Sequence, residues 1–262
     1  MQLVDTSNPP HRPPVRQRGQ GHRALLLTAR ALPITTSLIA LNSLVFALES
    51  AWDGGRPTVT LVRMGAIHPA SAGLLHWTSF MAYGYLHIGL AHIGMNMFAL
   101  YSLGRVLEPL LGGGRFFVLY TLSLLGGGMA IALSTAPHVT AGASGAIFGL
   151  LGAICALLWQ RHRSAHLDEE RRAIRGLLGR LLLPNVIISL LPGVSLLGHA
   201  GGLIVGAAFS APFLRARLAG RPHGERSPAM NAAAIALAVL TLLCVAWIWW
   251  VLQPWRTADL SV

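Results

Sequence analysis

Seven long runs without a charged side chain constrain this chain more than any other feature. They lie near 31–48, 83–104, 116–136, 139–160, 181–197, 198–214 and 229–252. A helix that crosses a bilayer needs about 20 apolar residues, with a range of roughly 17–25. In lipid every backbone N–H and C=O must be bonded within the protein, so such runs are read as helices. The fifth and sixth are the shortest, and Pro192-Gly193 and Gly198 between them favour two helices over one very long one. Only 11% of the 262 residues are charged, against about 25% in soluble domains. The expected fold class is therefore an all-α polytopic membrane protein. The first run lies too far from the start for a signal peptide and no A-x-A-like site follows it, so an uncleaved anchor is expected.

The net charge of +11 suggests a nucleic-acid partner only until its distribution is read. All 20 basic residues are arginine. With the N-terminus inside, the inner segments hold Arg12, Arg16, Arg18, Arg23 and Arg30, then Arg105 and Arg115. They also hold Arg161, Arg163, Arg171, Arg172, Arg175 and Arg180, and finally Arg215, Arg217, Arg221 and Arg226, which leaves only Arg56, Arg63 and Arg256 outside. The positive-inside rule then places the N-terminus in the cytoplasm and the C-terminus outside. No aromatic residue interleaves the basic runs as a base-stacking site would require, so no nucleic-acid partner is expected. Residues 1–30 read as a flexible basic tail near anionic lipid. Trp52 and Trp77, and Trp247, Trp249, Trp250 and Trp255, read as outer-interface aromatics. Cys155 and Cys244 lie in apolar runs without metal spacing and read as packing residues.

Polar side chains inside lipid are functional candidates by default. They are Asn42, His87, His92, Asn96, Ser144, Asn185 and His199. Asn42 and Asn185 stand alone in their helices and suit interhelical hydrogen bonds. The rest cluster by depth. Ser144 to Gln160 and His199 to Leu214 are each about 16 residues, or ~24 Å at 1.5 Å per residue, short of the ~30 Å core. Both outer ends would start below the outer surface, at matching depth. Irregular backbone at that depth implies a protein-lined, wet cavity.

Small residues supply the lateral approach. Gly145, Gly149 and Gly152 follow Ser144, and Gly202 and Gly206 follow His199. Such stripes let helix backbones come unusually close. The fourth and sixth runs are then the pair expected to touch, carrying a serine and a histidine at their outer ends. A serine within hydrogen-bond reach of a histidine is the arrangement that activates a hydroxyl as nucleophile. Among the nine acidic residues none lies well inside a run near that pair, so a Ser–His dyad is favoured over a triad. Phe148 lies one turn from Ser144 on the same face; its ring can stack on the imidazole or serve as a core aromatic. In YLHIGLAHIGMNMF, His92 and Asn96 are i and i+4, one above the other, near the level of Ser144 and suited to donate to a developing oxyanion. Backbone N–H groups at a helix start near Ser144 would add donors. A zinc site from His87, His92 and His199 is disfavoured, because no H-E-x-x-H is present and His87 and His92 fall on different faces.

These residues resemble the rhomboid intramembrane serine proteases. The matching pieces are GASG, with Gly142, Ser144 and Gly145; the H-x-x-x-N of His92 and Asn96, with His87 before it; and LGHAGGLIVG, with His199, Gly202 and Gly206. LGRVLEPLLG, with Gly104 and Glu108, is similar too. Together they cover roughly 75–215. Each alone is weak, and three in the right order and topology are specific. The resemblance implies Ser144 as nucleophile, His199 as general base, and oxyanion donation from His92, Asn96 and the Ser144 amide. It implies transmembrane helices of other proteins as substrates, and neither cofactor nor metal. It divides the chain into a tail (1–30), a six-helix catalytic core (31–216), a linker (217–228) and a seventh helix with a short outer tail (229–262). The expected location is a bacterial plasma membrane. Two departures stand out: Trp77-Thr78 lacks the arginine often paired with that tryptophan, and Gly198 stands where alanine is usual. The rival readings are an inactive relative that binds transmembrane clients, and a transporter. A transporter would place its polar residues near the midplane, not toward one face.

Overall fold

The structure is a computed structural model that describes residues 32–52, 57–68, 78–134, 138–164, 168–191, 193–218 and 228–251. The expected tail over 1–30, most of the linker (219–227), the outer tail after 251, Trp77 and Trp255 lie outside the described residues. The described residues form α1 (Pro33–Trp52), α2 (Pro57–Met64), α3 (Ser79–Ala82) continued by a 3-10 turn (Tyr83–Tyr85), and α4 (Leu90–Leu111). After these come α5 (Gly113–Ala132), α6 (Ser144–Ser164), α7 (Asp168–Ser189), α8 (Leu196–Leu218) and α9 (Pro228–Val251). Five of these helices, α1, α5, α6, α8 and α9, are long and apolar enough to cross a membrane. The chain is an all-α polytopic membrane protein.

Two of the seven expected runs are built differently. The run at 83–104 is not one helix: Ser79–Tyr85 and Leu90–Leu111 meet at a bend of 97°. Gly89 breaks the run at φ +82°, a conformation that side chains with a Cβ rarely adopt. The helix beyond it passes Arg105 and ends at Leu111. The run at 181–197 is also split. Its first half is the end of α7, which begins at Asp168, and of the described residues 190, 191 and 193–195 lie between α7 and α8. Asp168, Glu169 and Glu170 occupy the first turn of α7, where carboxylates offset the positive end of the helix dipole.

Of the five membrane-length helices α6 is the most enclosed and α9 the least. Around α6 stand α4, α5, α7 and α8, and its interface with α8 is the most extensive in the molecule. Glycine makes that seam. A Cβ built on Gly202 would run into the carbonyl oxygen of Gly145, one on Gly206 into that of Gly149, and one on Gly152 into that of Leu203. α5 joins the same seam: a Cβ on Gly201 would stand 2.6 Å from the Gly126 carbonyl oxygen, and one on Gly127 2.9 Å from that of Gly198. Lipid offers no hydrophobic drive for helix association, so close van der Waals contact of this kind holds the helices together.

Polar contacts fix the periphery. The Glu108 carboxylate, buried at the end of α4, accepts from the N–H groups of Ile34 and Thr35, each at 2.8 Å, and from Thr35 Oγ1 at 2.6 Å. It thereby caps the start of α1, whose first N–H groups have no partner within their own helix. Asn42 turns its amide back on its own helix, donating to the Leu38 carbonyl at 2.8 Å. Trp52 meets Trp249 edge-on at 5.8 Å, so α9 docks beside the end of α1. Cys155 and Cys244 are free thiols.

Candidate active site

Ser144 is the first residue of α6, and the Ala143 carbonyl already accepts from the Ile147 N–H. The turn before it is pinned from two sides. Ile67 and Thr140 exchange both backbone bonds, at 3.0 and 2.8 Å, and the Gly142 N–H donates to the Tyr83 carbonyl at 2.8 Å. Tyr83 in turn donates its hydroxyl to the Leu124 carbonyl at 2.7 Å. Gly142 sits at φ +130°, which lets the chain turn sharply into the helix. Ser144 is partly exposed while residues 141–143 and 145–148 around it are buried.

His199 lies in the first turn of α8 and is buried. The α6–α8 seam brings the two helix starts together, since a Cβ on Gly145, next to Ser144, would stand 3.7 Å from the carbonyl oxygen of Gly198, next to His199. Phe148 lies flat on the His199 imidazole, with centroids 3.9 Å apart and planes 12° from parallel. Both roles open to Phe148 are present: its ring stacks on the histidine and is buried with the core. His199 Nδ1 lies 2.7 Å from Ser189 Oγ on α7, a partner that the sequence reading did not single out.

His92 and Asn96 approach the same turn from α4. A Cβ on Gly142 would fall 2.7 Å from His92 Cε1, 2.9 Å from its Nε2 and 3.5 Å from Asn96 Nδ2. Nδ1 of His92 accepts from the Ile88 N–H at 3.3 Å. A neutral imidazole carries one donor and one acceptor nitrogen, so the proton of His92 is on Nε2, facing the turn. Asn96 Nδ2 is buried with no protein acceptor. Two donors therefore converge on the stretch just before Ser144. His87 is not one turn earlier on the same helix, as the run at 83–104 implied; it lies in the bend, fully buried, with its ring edge-on to that of His92 at 5.3 Å. Its backbone N–H donates to Glu49 Oε2 at 3.1 Å, which ties the bend to α1. Among the described residues no three His, Cys, Asp or Glu side chains gather into a metal-binding set.

Sequence reading overlooked Ser189, Tyr83 and the Gly126–Gly128 triplet of α5. The triplet was visible as a small-residue stripe. Tyr83 and Ser189 carry no signal of their own, because their partners are backbone and imidazole groups supplied by distant elements.

A rhomboid domain family model matches residues 75–216, more than half of the chain. The chain is similar to Rhomboid protease GluP of Bacillus subtilis (strain 168), 33% identical over 177 residues, which cover 66% of this chain and 33% of that protein. It is similar to the mitochondrial RHOMBOID-like protein 6 of Arabidopsis thaliana, 33% identical over 157 residues, or 58% of this chain and 49% of the relative. RHOMBOID-like protein 1 of the same plant is 32% identical over 162 residues, or 61% of this chain and 41% of the relative. The chain spans between a third and a half of the length of these relatives. With a family model matching more than half of its length and taking in Ser144 and His199, the chain belongs to the rhomboid family.

Proposed function

We propose that the protein is an intramembrane serine endopeptidase that cuts transmembrane helices of other membrane proteins. Ser144 is the nucleophile and His199 the general base. His92 Nε2–H, Asn96 Nδ2 and the free N–H groups at the start of α6 stabilise the oxyanion, as donors aimed at developing charge do in acyl transfer. The observation that carries this reading is the glycine seam of α6 and α8, which lays Phe148 on the His199 ring one turn from Ser144. Kinship with a protein named as a protease supports it.

A substrate helix hides its carbonyls in i→i−4 bonds and must unwind before attack. Its approach is sideways past α7, which leaves Leu183, Val186, Ile187 and Ile188 exposed, as the connection after it leaves Leu190 and Leu191. The arginine distribution supports an N-terminus in the cytoplasm, a C-terminus outside, and a site toward the outer face. A bacterial plasma membrane is the setting we infer.

The test is cleavage of a transmembrane reporter by the purified full chain in detergent or liposomes. Ser144→Ala is expected to abolish cutting and to leave the thermal transition unchanged. A Ser144→Ala protein that cuts as fast as wild type refutes the mechanism. A wild-type protein that binds the reporter without cutting it identifies a client-binding relative instead.

A further inference from the structure

Ser189 is the last residue of α7, and it is buried among neighbours that are not: Val186, Ile187, Ile188, Leu190 and Leu191 are all exposed. Its hydroxyl is therefore turned inward on the one polar residue of an otherwise oily turn. Oγ lies 2.7 Å from the Asn185 carbonyl oxygen, one turn back, and 2.7 Å from Nδ1 of His199. A hydroxyl has one proton to give and two lone pairs. A carbonyl only accepts, so the Ser189 proton goes to Asn185 and Oγ accepts from the imidazole. That assignment places the ring proton on Nδ1 and leaves Nε2 with a lone pair.

We infer that Ser189 is a positioning residue that fixes the tautomer and the facing edge of His199, holding Nε2 as the nitrogen that receives the Ser144 proton. The inference rests on the Ser–His reading proposed above. Phe148 cannot do this alone. A half-turn about the Cβ–Cγ bond keeps the imidazole in the same plane against Phe148 but exchanges Nδ1 for a carbon, and only a directional bond tells the two poses apart. Serine proteases on soluble folds use a buried carboxylate at this nitrogen. Here the described carboxylates are committed elsewhere. Glu49 binds the His87 N–H, Glu108 caps α1, and Asp168, Glu169 and Glu170 open α7.

The proton accounting closes without Ser189 changing state. Ser144 Oγ bonds to the scissile carbonyl carbon as its proton passes to Nε2. The imidazolium so formed keeps its Nδ1–H on Ser189 Oγ, a bond that strengthens once the ring is charged. Nε2 then gives its proton to the leaving amine as the C–N bond breaks. A water molecule, deprotonated by the same Nε2, attacks the acyl ester, releasing the carboxylic acid and returning the proton to Ser144.

The experiment compares wild type, Ser189→Ala and Ser189→Thr as full chains in detergent. It measures kcat and KM on the transmembrane reporter, the labelling rate of Ser144 by a fluorophosphonate, and the thermal transition. Ser189→Ala is expected to lose about 10- to 100-fold in kcat, the loss expected of one hydrogen bond to a group that becomes charged. KM and the thermal transition should hold, and labelling should slow in parallel. Ser189→Thr keeps the hydroxyl and should restore most of the rate. A Ser189→Ala kcat within twofold of wild type, or above it, overturns the inference, as does a threonine variant no better than a folded alanine variant. Should Ser189→Ala not fold, Ser189→Cys, similar in size but a weak acceptor, is expected to show the same kcat loss, and wild-type kcat in it overturns the inference equally. An inactive Ser144→Ala beside an unimpaired Ser189→Ala removes Ser189 and leaves the dyad standing; an active Ser144→Ala removes both.

Discussion

Gly201→Ala tests whether the glycine seam positions the chemistry or only holds the bundle together. A Cβ at residue 201 would stand 2.6 Å from the Gly126 carbonyl oxygen and 2.7 Å from Ala130 Cβ, where ordinary contact begins at 3.4 Å. Neither neighbour is a flexible side-chain tip, so α5 and α8 must part by about 0.8 Å, the difference between 3.4 and 2.6 Å. Overpacking of this size costs roughly 1–3 kcal/mol, a loss to be read from tryptophan fluorescence during heating. Residue 201 is two positions from His199, so the displacement reaches the imidazole. A misplacement of about 1 Å in a catalytic group costs on the order of 100-fold, and a fall in kcat of about 10- to 100-fold is expected. Gly179→Ala is the matched control: nothing stands within 4 Å of its Cβ, and alanine in a helix gains up to about 1 kcal/mol over glycine. If Gly201→Ala cuts and melts like wild type while Gly179→Ala does the same, the seam does not set the site.

Phe148→Ala removes the stack on His199 and is expected to lower kcat about two- to tenfold, in line with ~0.5–1.5 kcal/mol for an aromatic pair; Phe148→Tyr should keep most of the rate in the same reporter assay. Glu108→Ala leaves the first N–H groups of α1 uncapped and should lower stability by about 1–3 kcal/mol, seen as an earlier thermal transition with residual activity at low temperature.

The features legible in the sequence are those written as spacing. Gly145, Gly149, Gly152, Gly202 and Gly206 announced the α6–α8 contact, because small residues at helical intervals have one main use in lipid. The i+4 spacing of Phe148 placed it beside Ser144, and the opening of α6 at Ser144 followed from the apolar run behind it. The bend at Gly89 was not legible, because hydrophobicity does not change where the backbone turns. The early start of α7 left a trace in its first three acidic residues, hidden by the arginines that follow. Ser189 left none: a serine bonded one turn back looks the same whether or not a histidine from another helix completes its geometry.

The cap on α1 carries a consequence for how the chain divides. The carboxylate that satisfies Ile34 and Thr35 comes from Glu108, 73 residues away from Thr35, and the Leu32 carbonyl takes the Thr36 N–H, so the first turn of α1 is closed without residues 1–30. Removal of residues 1–30 is therefore expected to leave the starting point of α1 unmoved, read as an unchanged thermal transition of the shortened chain.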